Sequence, residues 1–364
     1  LVFILKPGDG QPTAKPSAPA NEPATSTQPE TKPLDKNRIV ILPFKNIGTP
    51  GENDHIVEGI VDDLNTMLTN VDGLRVIGSA SAKTYRDSNK TPAEIGQELN
   101  AGTLLQGSIQ KTGTDLKINV RLIDTTTSEN IWANSFSGNE TDRSKFQQEI
   151  IQSIVNKTKG TLLNQSELGS LTQDDTKNVE AYSLVKRGLE LIDVHSRETN
   201  QEATTLFLKS IDLDPNYVDA YAGLAASYIR SSSVSLDSPL KSFPLAKKYI
   251  DEALRINPNH LKSQLSKLSI MSYHDWDIEG TVEHAKKLLD QYPNNLSVLG
   301  STGEIFSFTG KKELAITFLR KALESDPKSS WLHQHLAYAY LASGNKKLAE
   351  LHNLRALEIT PNFQ

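Results

Sequence analysis

A proline that recurs near every thirty-fourth residue constrains this chain more than any other feature. It stands in Leu213-Asp214-Pro215-Asn216, Ile256-Asn257-Pro258-Asn259, Gln291-Tyr292-Pro293-Asn294, Ser325-Asp326-Pro327-Lys328 and Ile359-Thr360-Pro361-Asn362, with spacings of 43, 35, 34 and 34 residues. Proline cannot continue a helix, so each phrase ends one. Twelve residues before each proline come Ala203, Ala246, Thr281, Ala315 and Ala349, and five before it Ser210, Ala253, Leu288, Ala322 and Ala356. Small side chains at most of these sites let two helices approach closely. The pattern therefore predicts stacked helical hairpins.

The period and the flanking Leu224-Ala225 with Tyr228, Gly303 with Phe306 and Gly310, and Leu336-Ala337 with Tyr340 and Gly344 resemble the tetratricopeptide repeat. About five repeats are expected over residues 179–364. About nine extra residues lie within Ser231 to Pro244, about three lie near His195 to Thr199, and insertions in such arrays map to loops. The chain stops three residues after its last proline, which suggests an array without a capping helix.

Upstream, the periodicities differ. The apolar run Ile39 to Phe44 reads as a buried strand, Ile56, Ile60, Leu64 and Leu68 as one face of a helix, and Leu74 to Ile77 as a second strand. Thr91-Pro92-Ala93-Glu94 has the features of a helix start. Three alternating stretches follow, Thr103 to Gln110, Leu116 to Ile123 and Glu129 to Phe136, with short polar turns between them. A helix from Asp142 to about Leu163 closes an α+β domain, a mixed sheet with helices, over residues 38–165. Residues 7–37 hold seven prolines and almost nothing apolar, so they read as an extended linker. Leu1-Val2-Phe3-Ile4-Leu5-Lys6 reads as the outer end of a membrane helix.

The net charge of -5 supplies no basic field for nucleic acid, and without cysteine there is no thiolate nucleophile or Cys-ligated metal. No phosphate loop, nucleophile elbow or His-Glu-x-x-His helix occurs. His333, His335 and His352 read as surface histidines, and Asp275-Trp276-Asp277 as a turn with Trp276 packed. The sequence predicts a binding protein rather than an enzyme, without cofactor. Counting from each proline puts Asp219, Arg230, Lys262, Ser269, Tyr273, Glu304, Phe308, Trp331, Gln334 and Tyr338 along the concave groove, where repeats of this kind take a peptide or partner.

Ile39 to Asn46, Glu58-Gly59-Ile60, Gly73 to Ile77, Leu104 to Ile109, Leu122-Ile123-Asp124 and Ile131-Trp132-Ala133 resemble the TolB N-terminal-like domain. Ala181 to Leu184, Asp214 to Tyr217 and Ala220 to Ala225 are similar to the repeats that accompany it. Gln106 departs from that pattern, which more often has an acid there. The resemblance implies the extracytoplasmic, periplasmic half of a membrane-anchored signalling protein, either a CadC-type winged-helix regulator of transcription or a class III nucleotide cyclase. It implies a protein or peptide partner or a small-molecule signal, a single-pass anchor, and signalling by shifted domain geometry or homodimerisation. An envelope scaffold holding partners through the same groove is the other expectation.

Overall fold

The computed structural model describes residues 34–49, 51–171, 176–233 and 237–361. The apolar start and the proline-rich stretch to Pro33 lie outside them. Among the described residues no helix is long and apolar enough to cross a membrane.

Residues 34–37, expected to belong to the linker, are held against the α+β domain instead. The carbonyl of Asp35 accepts from the amides of Arg38 (3.0 Å) and Gly102 (2.9 Å), and that of Lys36 from Thr103 Oγ1 at 2.7 Å. The segment is polar in composition, so apolar patterning gives no sign of these backbone contacts.

The order of the longer elements follows the sequence reading, with short elements added between them and the closing helix ending at Lys159, where Gly160 turns left-handed, rather than near Leu163. Strand β1 (Arg38–Ile41) stops before Pro43 and is followed by β2 (Lys45–Asn46), helix α1 (Asp54–Thr69), β3 (Arg75–Val76), α2 (Ser79–Lys83) and α3 (Pro92–Leu99). Thr91 and Glu94 form a complete capping box at the start of α3. The long strands β4 (Thr103–Thr112), β5 (Asp115–Asp124) and β6 (Asn130–Asn139) precede α4 (Arg143–Lys159) and α5 (Gln165–Leu171). The sheet runs β3-β1-β4-β5-β6, with β2 also on β4. β1 is parallel to β3 and β4, while β4, β5 and β6 pair antiparallel.

Alternation along the strands assigns the two faces. Ile41, Leu105, Ile118 and Leu122 join Ile60, Leu64 and Leu68 of α1 and Ile150 and Ile154 of α4 in one core. Val40, Leu42, Leu104 and Ile123 meet Tyr85, Ile95 and Leu99 on the other face. Beyond that second cluster, the sheet presents a polar surface. There Arg121 Nε donates to Gln106 Oε1 (3.0 Å) and Ser135 Oγ to Asn119 Oδ1 (2.8 Å).

The repeats form antiparallel helix pairs: α6 (Val179–Asp193) with α7 (Arg197–Leu213), α8 (Val218–Ser233) with α9 (Pro239–Ile256), and α10 (Leu261–Tyr273) with α11 (Ile278–Gln291). α12 (Leu296–Phe308) then pairs with α13 (Lys312–Ser325), and α14 (Ser330–Ala342) with α15 (Lys346–Ile359). The architecture is thus an α+β domain followed by an all-α tetratricopeptide-type array. Ala203, Ala246, Thr281 and Ala315 are fully buried at the close approaches. Phe207 of α7 lies between Gly188 and Gly223, where an added Cβ would come within 2.7 and 2.4 Å of its ring.

Two expectations are corrected. Part of the insertion after Ser231 is helical, because α9 begins at Pro239 and carries Pro244 inside it, while Phe243 stacks on His274 at 4.6 Å. Trp276 does not pack: it has φ 55° and is 76% exposed, since the left-handed turn directs its ring outward.

Residues 34 onward form one compact unit. Its principal core runs without a break from the sheet and α1 through Tyr182 and Val185 of α6 to Phe207, Tyr217 and Leu224.

Candidate binding groove and domain seam

The array meets the α+β domain along the edge where each hairpin passes to the next. The first contact joins α6 to α1. Asp63 accepts from Tyr182 Oη at 2.8 Å and from Lys186 Nζ, whose side chain is 5% exposed. Gly59 makes room for that lysine, since a Cβ there would stand 2.6 Å from Lys186 Cγ. Arg143 lies over the Tyr182 ring at 3.5 Å, and His55 Nε2 is 2.7 Å from Ser183 Oγ.

The second contact is made by the turn after α13. Gly78 N donates to the Ser325 carbonyl at 2.9 Å, and the Asp326 carboxylate accepts from Ser81 N at 2.8 Å and from Ser81 Oγ. Lys328 Nζ donates to Tyr85 Oη at 2.7 Å and stands 3.6 Å from Glu98. Arg38 reaches the Glu324 carbonyl. Burial raises the Asp326 carboxyl above its usual range, against the two Ser81 bonds. At Gly78 any side chain would collide with Asp326, whose Cγ lies 2.3 Å from the Cβ position.

Between these contacts lies a cavity of about 410 Å³, with Asp63 and Met67 of α1 and Asn70 just after it on one wall and Tyr217, Asp219, His260, Lys262 and Tyr292 of the repeats on the other. Asp219 accepts from Lys262 Nζ at 2.9 Å and lies 3.2 Å from His260 Nε2. Burial opposes its ionisation, but Lys262 and then His260 outweigh burial and hold the carboxyl well below its usual range. Asp219 and Lys262 were expected in the open groove. The structure puts them in this seam instead, because they stand at the helix ends that face α1.

Other expected groove residues do come together. Tyr273 and Phe308 meet edge to face at 5.7 Å. Burial, and then Glu304, raise the pKa of the Tyr273 phenol. Glu304 Oε1 is 3.2 Å from His335 Nε2, the His335 ring is 4.4 Å from Trp331, and Tyr338 packs on His335 at 5.9 Å. Phe308, Tyr338 and Tyr273 are 58, 45 and 39% exposed, so the surface is aromatic and open. Gln334 is half-buried on the same helix as Trp331, and Ser269 Oγ turns back to the Leu265 carbonyl. Arg230 lies in the last turn of α8, and burial lowers its pKa against the pull of Asp193.

Sequence reasoning missed His335. It is 7% exposed, not a surface residue, and its Nδ1 lies 2.9 Å from the Trp331 carbonyl. Both ring nitrogens face acceptors, Glu304 on one side and the Trp331 carbonyl on the other. A signal was present in the i, i+4 spacing from Trp331, which stacks the two rings on one helical face. His333 and His352 are also half-buried, with Nδ1 atoms 2.9 Å apart. Among the described residues no group of three or more His, Cys, Asp or Glu side chains is arranged to hold a metal.

A family model described as the HilA/YgeH-like transcriptional regulator, second domain, matches residues 35–153, and a tetratricopeptide-repeat model matches 297–329. The chain is 28% identical over 214 residues to "Putative adenylate cyclase 3" of Rhizobium meliloti (strain 1021), covering 58% of this chain and 36% of that protein. It is also 28% identical over 164 residues to the interferon-induced protein with tetratricopeptide repeats 2 of Homo sapiens, covering 43% and 32%. It thus spans about a third of the length of the curated relatives it matches. Among solved structures, PilW, a type IV pilus biogenesis factor, matches at 17% identity and TM-score 0.42 over 51% of this chain and 80% of its own. A thermophilic tetratricopeptide protein of Thermus thermophilus matches at 17% and 0.41 over 50% and 92%. The repeat region is a tetratricopeptide interaction module, joined here to a domain similar to the second domain of a transcriptional regulator.

Proposed function

We propose that this chain is the extracytoplasmic sensing and interaction half of a membrane-anchored signalling protein, and that a protein or peptide segment binds in the groove of the last three hairpins. The observation that carries the reading is the contrast between the two sides of the array. One edge is fixed to the α+β domain at two places, while the aromatic groove of α10, α12 and α14 stays open. A partner seated there acts on a body that already includes the α+β domain, so a change in one part moves the other. The regulator-domain match and the cyclase relative support an effector elsewhere in the protein, either DNA-binding or cyclase, and a scaffold reading offers that effector no role.

The test is an intact-gene experiment with two arms. Reporter fusions after Gln364 should be active only on the extracytoplasmic side, and Phe308→Ala with Tyr338→Ala should change the output of the effector while the protein still accumulates. A cytoplasmic reporter signal, or an output indifferent to the groove, would defeat the reading.

A further inference from the structure

Four lysines at the turns of the last two hairpins stand against the electrostatics of the helices they begin. Lys311 caps α13 and Lys312 opens it, and Lys346 and Lys347 open α15. A helix start carries partial positive charge and favours an acid, not a lysine. Among the described residues none of the four is in an ion pair. The arrangement also repeats: Gly310 and Gly344 take φ +77° and +85°, and the amides of Lys311 and Asn345 return to the carbonyls of Phe306 (3.0 Å) and Tyr340 (2.9 Å). The turn of the preceding hairpin has the opposite character, with Asp275 paired to Lys247 and Asp277 capping α11.

Beside these lysines the chain exposes Phe308 (58%), Leu341 (57%) and Tyr338 (45%). Large apolar side chains next to unpaired cations, on a chain whose net charge is -5, form a surface complementary to acid and apolar groups together. We propose that this rim and groove bind an acidic peptide segment. Its apolar side chains would rest on Phe308, Tyr338 and Leu341, and its carboxylates would meet the lysines. The proposal rests on the interaction reading above and supplies the partner's chemistry. A peptide fits better than an anionic membrane because the aromatic surface continues inward to Tyr273 and Glu304, where an extended chain can follow it.

The experiment uses the whole chain and a fluorescein-labelled peptide, Glu-Leu-Asp-Ser-Phe-Glu-Glu-Leu, followed by anisotropy. Its counterpart with lysine at each acid, and vesicles of 3:1 phosphatidylcholine and phosphatidylglycerol, serve as comparisons. The acidic peptide should bind more tightly at low salt, and the lysine peptide at least tenfold more weakly. Changing all four lysines to glutamate should weaken the acidic peptide at least tenfold with an unchanged or raised melting temperature, because acids suit helix starts. Equal affinity for both peptides, indifference to the four substitutions, or no binding of the acidic peptide at millimolar concentration overturns the proposal. Vesicle binding that depends on the lysines, without peptide binding, overturns it in favour of a membrane surface. If the acidic peptide binds, is indifferent to the lysines and is lost on Tyr338→Ala, the groove reading survives and the charged rim alone fails.

Discussion

Replacing Asp326 with alanine should loosen the turn after α13 from the α+β domain without unfolding either part. The side chain is buried, 5% exposed, and its carboxylate accepts from both the amide and the hydroxyl of Ser81. Alanine leaves those two donors facing a small void. A buried donor stripped of its partner costs about 1–3 kcal/mol. Against this stands the cost of burying the carboxylate, which is why its pKa is raised. Taking one uncompensated donor as the net gives roughly 1–3 kcal/mol, or a factor of about 5 to 150 in the docking equilibrium. Asn at the same position keeps a carbonyl acceptor and sheds the desolvation, so Asp326→Asn should cost under about 1 kcal/mol. The sign of the pH dependence follows. A carboxyl whose folded pKa lies above its unfolded value adds stability below the unfolded pKa and loses it as pH rises through the folded one, so this contact should tighten in mild acid. Hydrogen exchange read by mass spectrometry over residues 78–85 and 324–330 measures the opening. Exchange that is unchanged in Asp326→Ala, or that rises equally in Asp326→Asn, would refute the reasoning.

Three further tests lie elsewhere in the fold. Lys186→Met strands the Asp63 carboxylate in the seam and should cost about 3–5 kcal/mol in chemical denaturation, while the double variant with Asp63→Leu should recover most of that loss. Gly223→Ala puts a methyl 2.4 Å from the Phe207 ring position and should cost about 1–3 kcal/mol by overpacking, whereas Gly310→Ser, in open space, should affect only the local turn. Burial lowers the pKa values of His333 and His352 from the ordinary 6.5, so their contribution to stability is present above that value and lost as pH falls below it. Protection of the α14 and α15 amides, taken relative to their intrinsic exchange at each pH, should therefore fall between pH 6.5 and mild acid, and His352→Gln should flatten that dependence.

The sequence was most readable where one physical constraint acted alone. Proline past the first turn disfavours a helix, so Pro258 and Pro293 located hairpin boundaries directly, although Pro244 is carried inside α9, and alternation located β4, β5 and β6. The neighbouring placement of Tyr273, Glu304 and Phe308 also followed from the period, because helical geometry alone orients them. What period counting could not supply was the second body. Asp219 and Lys262 have the same register as groove residues, but α1 stands over them, and nothing local marks that. The residues holding the seam, Gly78, Ser81 and Asp326, look like ordinary turn residues because their partners are more than 240 positions away in the chain. Trp276 was misjudged for the opposite reason: a large aromatic suggests packing, yet a left-handed turn exposed it.

The central claim, that array and α+β domain move as one body, is open to one direct measurement. The chain has no cysteine, so spin labels can be placed at Asn89→Cys and Glu350→Cys without background. Double electron–electron resonance between them should give one narrow distance distribution that broadens when Asp326→Ala is added. A broad or two-peaked distribution in the otherwise unaltered chain would contradict the account.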